Sequence, residues 1–305
     1  MSRALAVRLA NQPYLLLTFT ALFWAGNAIA GKLAAGVVPP LTFTFLRWSL
    51  TTLVLFIIAR PYIAADAENI RRHRPFLYML GAFGFAGFNF ALYTALNYTT
   101  AINVTIEQSA MPMVIMVFGF LIFRERFLAA QAVGAILSVV GVAMTVTHGD
   151  LTALLRLDLN IGDAIMVIGV LLYSGYSVAL RRKPAMDWRV FMFALATGAM
   201  LFSAPFAAYE VLTGHYPQMS WKTPALVFYI TVFPSLMAQI FFIRGVELIG
   251  ANRSGIFVNL VPVFGALLAI LLLGETFELY HAIGLGLVLT GIALAETASR
   301  RRSAA

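Results

Sequence analysis

The residue types that could carry out catalysis are few and widely spaced in this chain. Its 305 residues contain no cysteine, which excludes disulfides, thiolate metal sites and cysteine nucleophiles. The four histidines show no H-E-x-x-H or other metal-ligand spacing, and they are His73, His148, His215 and His281. No serine lies in a recognisable nucleophile elbow. We therefore predict no enzymatic activity, no metal site and no cofactor.

One glycine-rich run is similar to a phosphate-binding loop. Residues Gly26 to Lys32 read G-x-x-x-x-G-K, but Leu33 follows where Ser or Thr would hold magnesium, and no strand precedes the run. The run also lies in an apolar segment of helical length. We interpret the match as chance, so the sequence indicates no hydrolysis of ATP.

Three ionisable residues lie within or near the ends of apolar segments, where such residues are functional candidates by default. They are Lys32, Arg47 and Glu107. At a rise of 1.5 Å per residue, Glu107 lies about 7 Å and Arg47 about 9 Å below the outer end of its helix, so the two could pair. Three roles remain open: a structural ion pair or gate latch, binding of a zwitterionic substrate, and proton coupling through Glu107. In the second role Glu107 would bind the ammonium group, and Lys32 or Arg47 the carboxylate.

Aromatic and amide side chains form a second group near the middle of the membrane. These candidates for substrate binding are Trp24, Asn27, Asn89, Tyr93, Tyr173, Tyr176 and Gln239. Each alone could also serve packing, but an amide that faces lipid without a partner costs several kcal/mol, so the amides should face the interior. Aromatic walls with a few amides suit an amphipathic ligand. Tyr78 lies near the cytoplasmic end of its helix, where a gate would close.

These residues are positioned by elements that the composition identifies as membrane helices. The chain is 61% hydrophobic and 11% charged, with a mean hydropathy of +0.87, whereas a soluble domain carries about 25% charged residues. Ten apolar runs have the length of about 20 residues that a bilayer requires. They cover roughly 14–34, 41–59, 76–97, 102–123, 127–147, 161–180, 189–211, 224–245, 253–273 and 277–296. The longest connections, 60–75 and 148–160, are too short for soluble domains. We predict an all-α integral membrane protein with ten transmembrane helices.

The distribution of basic residues sets the orientation. Ten spans place both ends on one side, and 17 of the 21 basic residues fall on that side. Lys32, Arg156 and Lys222 fall on the other side, and Arg47 lies inside a span. By the positive-inside rule, both termini are cytoplasmic, in a multi-pass protein of a bacterial inner membrane. The net charge of +8 is then a signal of topology, and we expect lipid, not nucleic acid, as a partner.

An internal repeat divides the chain. A shift of 150 residues superposes 101–147 on 251–297 and aligns Pro112 with Pro262, while the Gly134 and Gly141 pair meets Gly284 and Gly291. Five spans per copy is an odd number, so the second copy enters the membrane from the opposite side. We predict an inverted repeat, 1–150 and 151–305, around a central cavity, which is a signature of transporters.

The repeat also assigns roles to prolines and glycines. The paired prolines predict matched kinks on opposite sides of the cavity, and the paired glycines predict close packing of helices 5 and 10. Gly81, Gly84 and Gly87 follow a three-residue period in helix 3, where they serve either packing or sliding between states. Arg3 and Arg8 before the first apolar run are similar to a signal peptide, but the run matches the sixth span, as Trp24-Ala25-Gly26 meets Tyr173-Ser174-Gly175.

These motifs resemble a known family. The run Trp24-Ala25-Gly26-Asn27 with Lys32, followed by Pro39-Pro40 and Phe45-Leu46-Arg47-Trp48, resembles the opening of EamA-type members of the drug/metabolite transporter superfamily. Phe123-Arg124-Glu125 and Leu273-Gly274-Glu275 resemble the end of each EamA repeat, with Arg124 in place of the usual small residue. Within the superfamily the chain resembles the YddG-type exporters of aromatic amino acids. The resemblance implies a ten-helix basket whose cavity is lined mainly by helices 1, 3, 4, 6, 8 and 9.

We therefore predict a secondary transporter that exports small amphipathic metabolites by alternating access. Amino acids, aromatic ones in particular, are the substrates that the resemblance favours. The alternatives are a transporter or exchanger of another solute, such as a nucleoside or a cationic drug, and a polytopic membrane enzyme or receptor. Neither an enzyme nor a receptor needs two halves of opposite orientation. The sequence does not indicate an oligomeric state.

Overall fold

The structure of the protein is a computed structural model that describes residues 11–124, 129–150 and 160–304. Within these ranges every regular element is a helix and there is no strand, which confirms the all-α prediction. Several residues named above lie outside the described part of the chain: Arg3, Arg8, Glu125, Arg126 and Arg156.

Ten membrane helices follow one another along the described chain. Eight helical stretches are long and apolar enough to cross a bilayer, one of them has the length of two crossings, and Leu279–Ala295 is a shorter apolar helix. Their bounds are α1 Pro13–Ala34, α2 and α3 within Pro40–Ala95, α4 Ala101–Phe123, α5 Ala129–Val146, α6 Ile161–Ala179, α7 Trp188–Leu212, α8 Lys222–Ile249, α9 Ala251–Leu273 and α10 Leu279–Ala304. The predicted count of ten is confirmed.

The stretch Pro40–Ala95 folds back on itself. Phe43 and Tyr93 lie with ring centroids 4.7 Å apart, so the chain reverses between them, and we divide it into α2 (residues 40–60) and α3 (75–95). The connection 60–75, predicted as a loop, is helical. The prediction was wrong because the polarity of this segment was read as a loop signal, although its Ala, Glu and Arg residues are strong helix formers. Pro61 and Pro75 lie inside this helical stretch, where proline bends a helix.

Contacts between helix ends group the turns on two faces, which we name outer and inner after the predicted orientation. At the outer face, Gln218 N donates to Val37 O (2.9 Å) and Asn160 Nδ2 to Tyr98 O (3.0 Å). At the inner face, Arg244 Nη2 donates to Asn11 Oδ1 (2.8 Å) and Asn69 Nδ2 to Ala185 O (3.1 Å). The start of α1 is therefore at the inner face and the start of α6 at the outer face.

The two five-helix halves are inverted with respect to each other. Helices α5 and α10 pack with Gly134 against the backbone of Gly291 and with Gly141 against Gly284, so their numbering runs in opposite directions. A Cβ atom on Gly134 would lie 2.4 Å from the Gly291 carbonyl oxygen, which no side chain could tolerate without a shift of backbone. These glycines thus serve the close packing that the sequence predicted.

Each half carries the same two irregularities at positions 150 residues apart. Helices α3 and α8 contain π-helical segments at Gly81–Gly87 and Thr231–Met237. Helices α4 and α9 are interrupted at residues 109–110 and 259, shortly before Pro112 and Pro262. Single π-helical turns are rare and occur often at functional sites, so these four places mark the region where a site is expected.

Two carboxylates cap helices at the outer face. Glu210 at the end of α7 accepts hydrogen bonds from the backbone N–H of Leu41 (3.1 Å) and Thr42 (2.7 Å) at the start of α2. Glu275 accepts from the N–H of Ala101 (2.8 Å) and Ile102 (3.0 Å) at the start of α4. Free N–H groups and the helix dipole make these ends favourable for negative charge. Each cap binds a residue of the second half to a helix of the first.

Arg124 ends α4 in a left-handed conformation, with φ of 54°. Gly274, its counterpart in the repeat, has φ of 69°. Glycine adopts this region at little cost and other residues do not. The departure from the family pattern at Arg124 therefore places a side chain where the backbone favours glycine.

Candidate functional site

A central cavity of about 490 Å³ lies between eight of the helices. Its wall includes the four irregular places that recur in both halves: Gly84 and Phe85 of α3, Pro234 and Ser235 of α8, Ser109 of α4 and Asn259 of α9. Helices α2 and α7 also contribute, through Arg47, Trp48 and Met192. The other lining residues belong to helices 1, 3, 4, 6, 8 and 9, so these helices form most of the wall, as the family resemblance implies.

Arg47 is the centre of a hydrogen-bond network that joins four helices. Its Nη1 donates to Asn27 Oδ1 (2.8 Å), Asn89 Oδ1 (2.9 Å) and Tyr93 Oη (2.6 Å), and its Nε donates to Ser235 Oγ (2.8 Å). The side chain is 5% exposed, yet it contributes to the cavity wall. The guanidinium group is therefore held in one orientation at the boundary between core and cavity.

The position of Ser235 follows from the proline beside it. Pro234 has no N–H for the carbonyl of Ile230, one turn earlier, and the Ser235 hydroxyl donates to that carbonyl instead (2.7 Å). The hydroxyl oxygen then remains available to accept from Arg47 Nε. The π-helical segment of α8 and the guanidinium of α2 are thus linked through one serine.

The cavity carries an uncompensated positive charge. In the part of the chain that the structure describes, no Asp or Glu lines the cavity, and all four hydrogen-bond partners of Arg47 are neutral. Its Nη2 makes no hydrogen bond to any described residue. The Trp48 ring, 5.1 Å away, adds a cation–π contact. A buried charge without a counterion is costly, so the site favours an anionic group of a ligand.

Aromatic side chains form the apolar part of the wall. Trp24 of α1 lies 5.4 Å from Phe242 of α8, and Phe88 of α3 lies 5.1 Å from Tyr173 of α6, both as ring-centroid distances. Pairs of this kind offer tilted faces to a planar ligand, with about 0.5–1.5 kcal/mol per aromatic contact.

The interruptions of α4 and α9 supply acceptors to the cavity. Pro112 has no N–H for the carbonyl of Gln108, and Pro262 has none for that of Val258, and both Gln108 and Val258 line the cavity. Asn259 adds an amide beside them. Interrupted helices at the middle of a membrane are where transporters bind their substrates.

Fully buried residues close the cavity toward the outer face. One turn outward from Arg47, Asn89 and Pro234 lie Phe43, Tyr93 and Ile230, each at most 2% exposed. Ile106, two residues outward from Gln108, has no exposed surface. They belong to one apolar cluster formed by several helices. Arg47 therefore lies at the closed, outer end of the cavity.

The structure places most, but not all, of the predicted binding residues in the wall. The predicted residues that line the cavity are Trp24, Asn27, Asn89, Tyr173, Gln239, Pro112 and Pro262. Tyr93 lies behind Arg47, with its hydroxyl donating to Asn27 Oδ1 (2.9 Å). Tyr176 packs against Gly84 and Phe85, and Tyr78 packs against Gly198 of α7. Tyr93 and Tyr176 thus lie behind the wall and do not line the cavity, because depth along a helix does not fix which way a side chain points.

The predicted pairing of Glu107 with Arg47 does not occur. Lys32 Nζ donates to the backbone oxygens of Leu96 (3.0 Å) and Thr99 (2.6 Å), so it satisfies the end of α3 and does not line the cavity. Glu107 is fully buried and faces Asp163. Equal depth allowed the pair, but Glu107 and Arg47 point to different neighbours because of the rotation of their helices.

Several wall residues were missed from sequence. Gln108, Ser109 and Asn259 lie three or four residues before the paired prolines, a signal that could have identified them. Trp48 was quoted beside Arg47 only as part of the family motif, and Ser235 adjoins Pro234 in the sequence. Asp163 was missed because it lies close to the end of the predicted run 161–180, two residues after the start of α6.

Comparison with known proteins agrees with this architecture. The EamA-like transporter family matches the chain twice, over residues 12–147 and 160–297. The chain belongs to the EamA-like transporter family. The uncharacterized transporter YyaM of Bacillus subtilis is 23% identical over 92% of both chains. An uncharacterized transporter of Archaeoglobus fulgidus is 25% identical over 93% of this chain and 97% of its own length.

A solved structure has a fold similar to that of this chain. It is described only as the crystal structure of a protein, and it aligns with a TM-score of 0.59 and 23% identity over 94% of this chain and 97% of its own. The chain is therefore a multi-pass membrane transporter, and a small-molecule substrate and membrane lipid are the partners that this family implies.

Proposed function

We propose that the protein exports small amphipathic metabolites from the cytoplasm, most favourably amino acids with aromatic side chains, by alternating access. The observation that carries the proposal is the wall of the central cavity, where Arg47 is the single charged side chain among the described residues and is accompanied by aromatic rings and amides. A cavity of about 490 Å³ is within the range of small-ligand sites, about 300–1,000 Å³.

Each part of an aromatic amino acid has a complementary group in the wall. Arg47 Nη2 binds the carboxylate, since guanidinium groups bind carboxylates through charge-assisted hydrogen bonds. The carbonyl oxygens of Gln108 and Val258 accept from the ammonium group. Trp24, Phe88, Tyr173 and Phe242 enclose the ring of the substrate.

The positive charge of Arg47 argues against the alternative solutes, a cationic drug and a nucleoside. A cationic drug would enter a cavity that has a fixed positive charge and no described carboxylate, so like-charge repulsion disfavours it. A nucleoside offers a ring but no anionic group for Arg47. The observations therefore favour a substrate with a carboxylate.

Alternating access uses the matched irregularities of the two halves. The outer end of the cavity is closed by Phe43, Tyr93 and Ile230, and the related elements of the other half close the inner end in the opposite state. Rocking of inverted halves about a fixed central site is the mechanism that such repeats permit.

The orientation follows from charge, with both termini in the cytoplasm of a bacterial cell and the protein in the inner membrane. Lys32 and Lys222 are the basic residues at the outer side in the described chain, whereas the 60–75 segment alone carries four arginines on the inner side. This difference has the direction of the positive-inside rule. In this orientation the closed end of the cavity faces the exterior, and transport is directed out of the cell.

Counterflow of radiolabelled phenylalanine in proteoliposomes tests the substrate class. We expect uptake of label that depends on the protein, competition by 3-phenylpropionate, which keeps the carboxylate, and little competition by phenethylamine, which lacks it. Arg47→Gln should abolish the counterflow and Arg47→Lys should reduce it, because lysine keeps the charge but not the planar fork.

Two results would contradict the proposal. Competition by phenethylamine but not by 3-phenylpropionate would show that Arg47 does not bind the carboxylate of the substrate. No protein-dependent flux of any aromatic amino acid, with a folded protein by gel filtration, would refute the substrate class.

A further inference from the structure

A buried group of ionisable side chains lies beside the central cavity, toward the outer face. Glu107 of α4 and Asp163 of α6 each have no exposed surface, and their carboxyl groups face each other within hydrogen-bonding reach. Neither lines the cavity. The pair is therefore a separate feature from the proposed substrate site.

The two carboxyl groups have different surroundings. Asp163 accepts hydrogen bonds from the Thr99 hydroxyl and from Asn103 Nδ2 (3.3 Å to each oxygen). Neither oxygen of Glu107 has a donor among the described residues. Two ionised carboxylates cannot stay adjacent in a low-dielectric interior, and such pairs share one proton. A proton on Glu107 would supply the missing donor, with Asp163 as its acceptor.

Lys32 and His281 lie near the two carboxyl groups but do not compensate their negative charge. Lys32 is directed to the carbonyl oxygens of Leu96 and Thr99. His281 accepts from the Glu278 N–H at Nδ1 (2.9 Å) and faces Asn103 Oδ1 with Nε2 (2.8 Å), the pattern of a neutral ring that donates through Nε2.

The other charged groups around the pair are acidic or aromatic. Glu275 is held by the N-terminus of α4, and the Tyr280 ring lies against the rings of His148 and His281, with centroid distances of 5.4 and 4.1 Å. No arginine or lysine forms an ion pair with Glu107 or Asp163 in the described part of the chain. A proton is the cation that this arrangement can hold.

His148 connects the pair to the outer face. Its Nε2 lies 3.8 Å from Asp163 Oδ2, and its side chain is 47% exposed whereas that of Asp163 is fully buried. Imidazole side chains serve as proton shuttles in proteins. The order His148, Asp163, Glu107 therefore leads from solvent to the interior.

Glu107 also lies next to the substrate cavity along the chain. Gln108, the following residue, lines the cavity, and α4 is interrupted directly after it. The Ala110 N–H donates to the backbone oxygen of Glu107 (3.1 Å) across this interruption. The backbone of Glu107 is therefore joined directly to the interrupted part of α4.

We propose that Glu107 and Asp163 form a proton-binding site that is loaded from the outer face through His148 and drives export by proton exchange. One proton enters the pair from the exterior and leaves to the cytoplasm, while one substrate molecule moves outward. This coupling rests on the transport function proposed above, but the proton site itself can be tested without a substrate.

Infrared difference spectroscopy of the purified protein in lipid, during a step in pH, tests the site directly. We expect the C=O band of a protonated carboxylic acid in the wild type, and its loss in Glu107→Gln. Glu210→Gln is the matched control, because Glu210 is a buried carboxylate at the same face that has three hydrogen-bond donors. The control should leave the band unchanged.

His148→Ala covers the case in which the Glu107 variant fails to fold, since His148 lies at the surface. We expect it to slow the exchange of the proton without removing the band. A band that persists in folded Glu107→Gln and Asp163→Asn would overturn the proton site. Proton exchange at the wild-type rate in His148→Ala would overturn the route through His148.

Flux measurements test the coupling. Proteoliposomes loaded with radiolabelled phenylalanine should release it faster when the exterior is acidic, and one-for-one exchange allows a tenfold proton gradient to sustain an about tenfold substrate gradient. Glu107→Gln should lose this acceleration but keep counterflow without a pH difference. Acceleration that persists in Glu107→Gln would overturn the coupling, whereas absent wild-type counterflow would refute the proposed function and leave the infrared result to decide the proton site.

Discussion

The position of Arg47 depends on neutral oxygen atoms, not on an acid. Asn27, Asn89 and Tyr93 surround Nη1 at 2.6–2.9 Å, and Ser235 holds Nε. Neutral acceptors fix the orientation of a guanidinium group but leave its net charge, so the group remains attractive to an anion. This is the arrangement that a binding site needs, whereas an ion pair with Glu107 would have neutralised it.

Removal of one acceptor should weaken substrate binding without unfolding the protein. Tyr93→Phe deletes the hydroxyl that accepts from Arg47 and donates to Asn27, at a cost of about 1–2 kcal/mol. We expect an about 5- to 30-fold increase in the KM for phenylalanine, measured by counterflow. Tyr98→Phe, on an exposed tyrosine, is the control. Unchanged KM in a folded Tyr93→Phe protein would show that the network does not support binding.

The cavity is lined by irregular segments of helices that are otherwise continuous. The π-helical segments of α3 and α8 and the interruptions of α4 and α9 recur 150 residues apart, so both halves bring backbone polar groups to the same cavity. By contrast, α5 and α10 pack along glycines without such irregularity. We infer that α5 and α10 form a fixed support beside the parts that move.

The close packing of α5 against α10 predicts that alanine substitutions at two of their glycines differ in their effect on stability. Gly134→Ala should destabilise the protein by about 1–3 kcal/mol, because the added Cβ would lie 2.4 Å from the Gly291 carbonyl oxygen. Gly286→Ala, on α10 with no atom within 4 Å of its Cβ position, should be neutral or stabilising by up to about 1 kcal/mol. Thermal unfolding in detergent measures both, and equal midpoints for the two variants would refute the close contact.

The whole molecule has a charge asymmetry that predicts its orientation, and single introduced cysteines can test it because the chain has no cysteine of its own. Met219→Cys, in the fully exposed turn between α7 and α8, should react with an impermeant maleimide in intact cells. Glu68→Cys, in the exposed helical connection between α2 and α3, should react only after lysis. The reverse pattern would place the termini outside and reverse the direction of transport.

Sequence patterns determined the architecture of the molecule better than the details of its site. Ten apolar runs and the shared Pro112 and Pro262 sufficed for the helix count and the repeat, because hydrophobic length and periodicity are local properties. Asn27, Asn89 and Gln239 were placed at the cavity because buried amides must avoid lipid.

The remaining details depend on how each helix is rotated and on which helix lies beside it. Tyr93 and Tyr176 were expected at the cavity, yet they lie behind its wall, because depth along a helix does not fix the direction in which a side chain points. The partnership of Glu107 with Asp163 joins α4 to α6 across the two halves, and no local pattern encodes such a contact. The helical connection 60–75 was missed because polarity outweighed helix propensity.

The lone guanidinium of the cavity makes the electrical state of the carrier depend on its cargo. A cell's membrane voltage acts on a unit charge with about 2.3 kcal/mol per 100 mV across the full membrane. Export of one zwitterion against one entering proton moves one positive charge inward per cycle, whereas export of one monoanionic acid against one proton moves two. Current recorded from the protein in a planar bilayer thus distinguishes these two kinds of cargo.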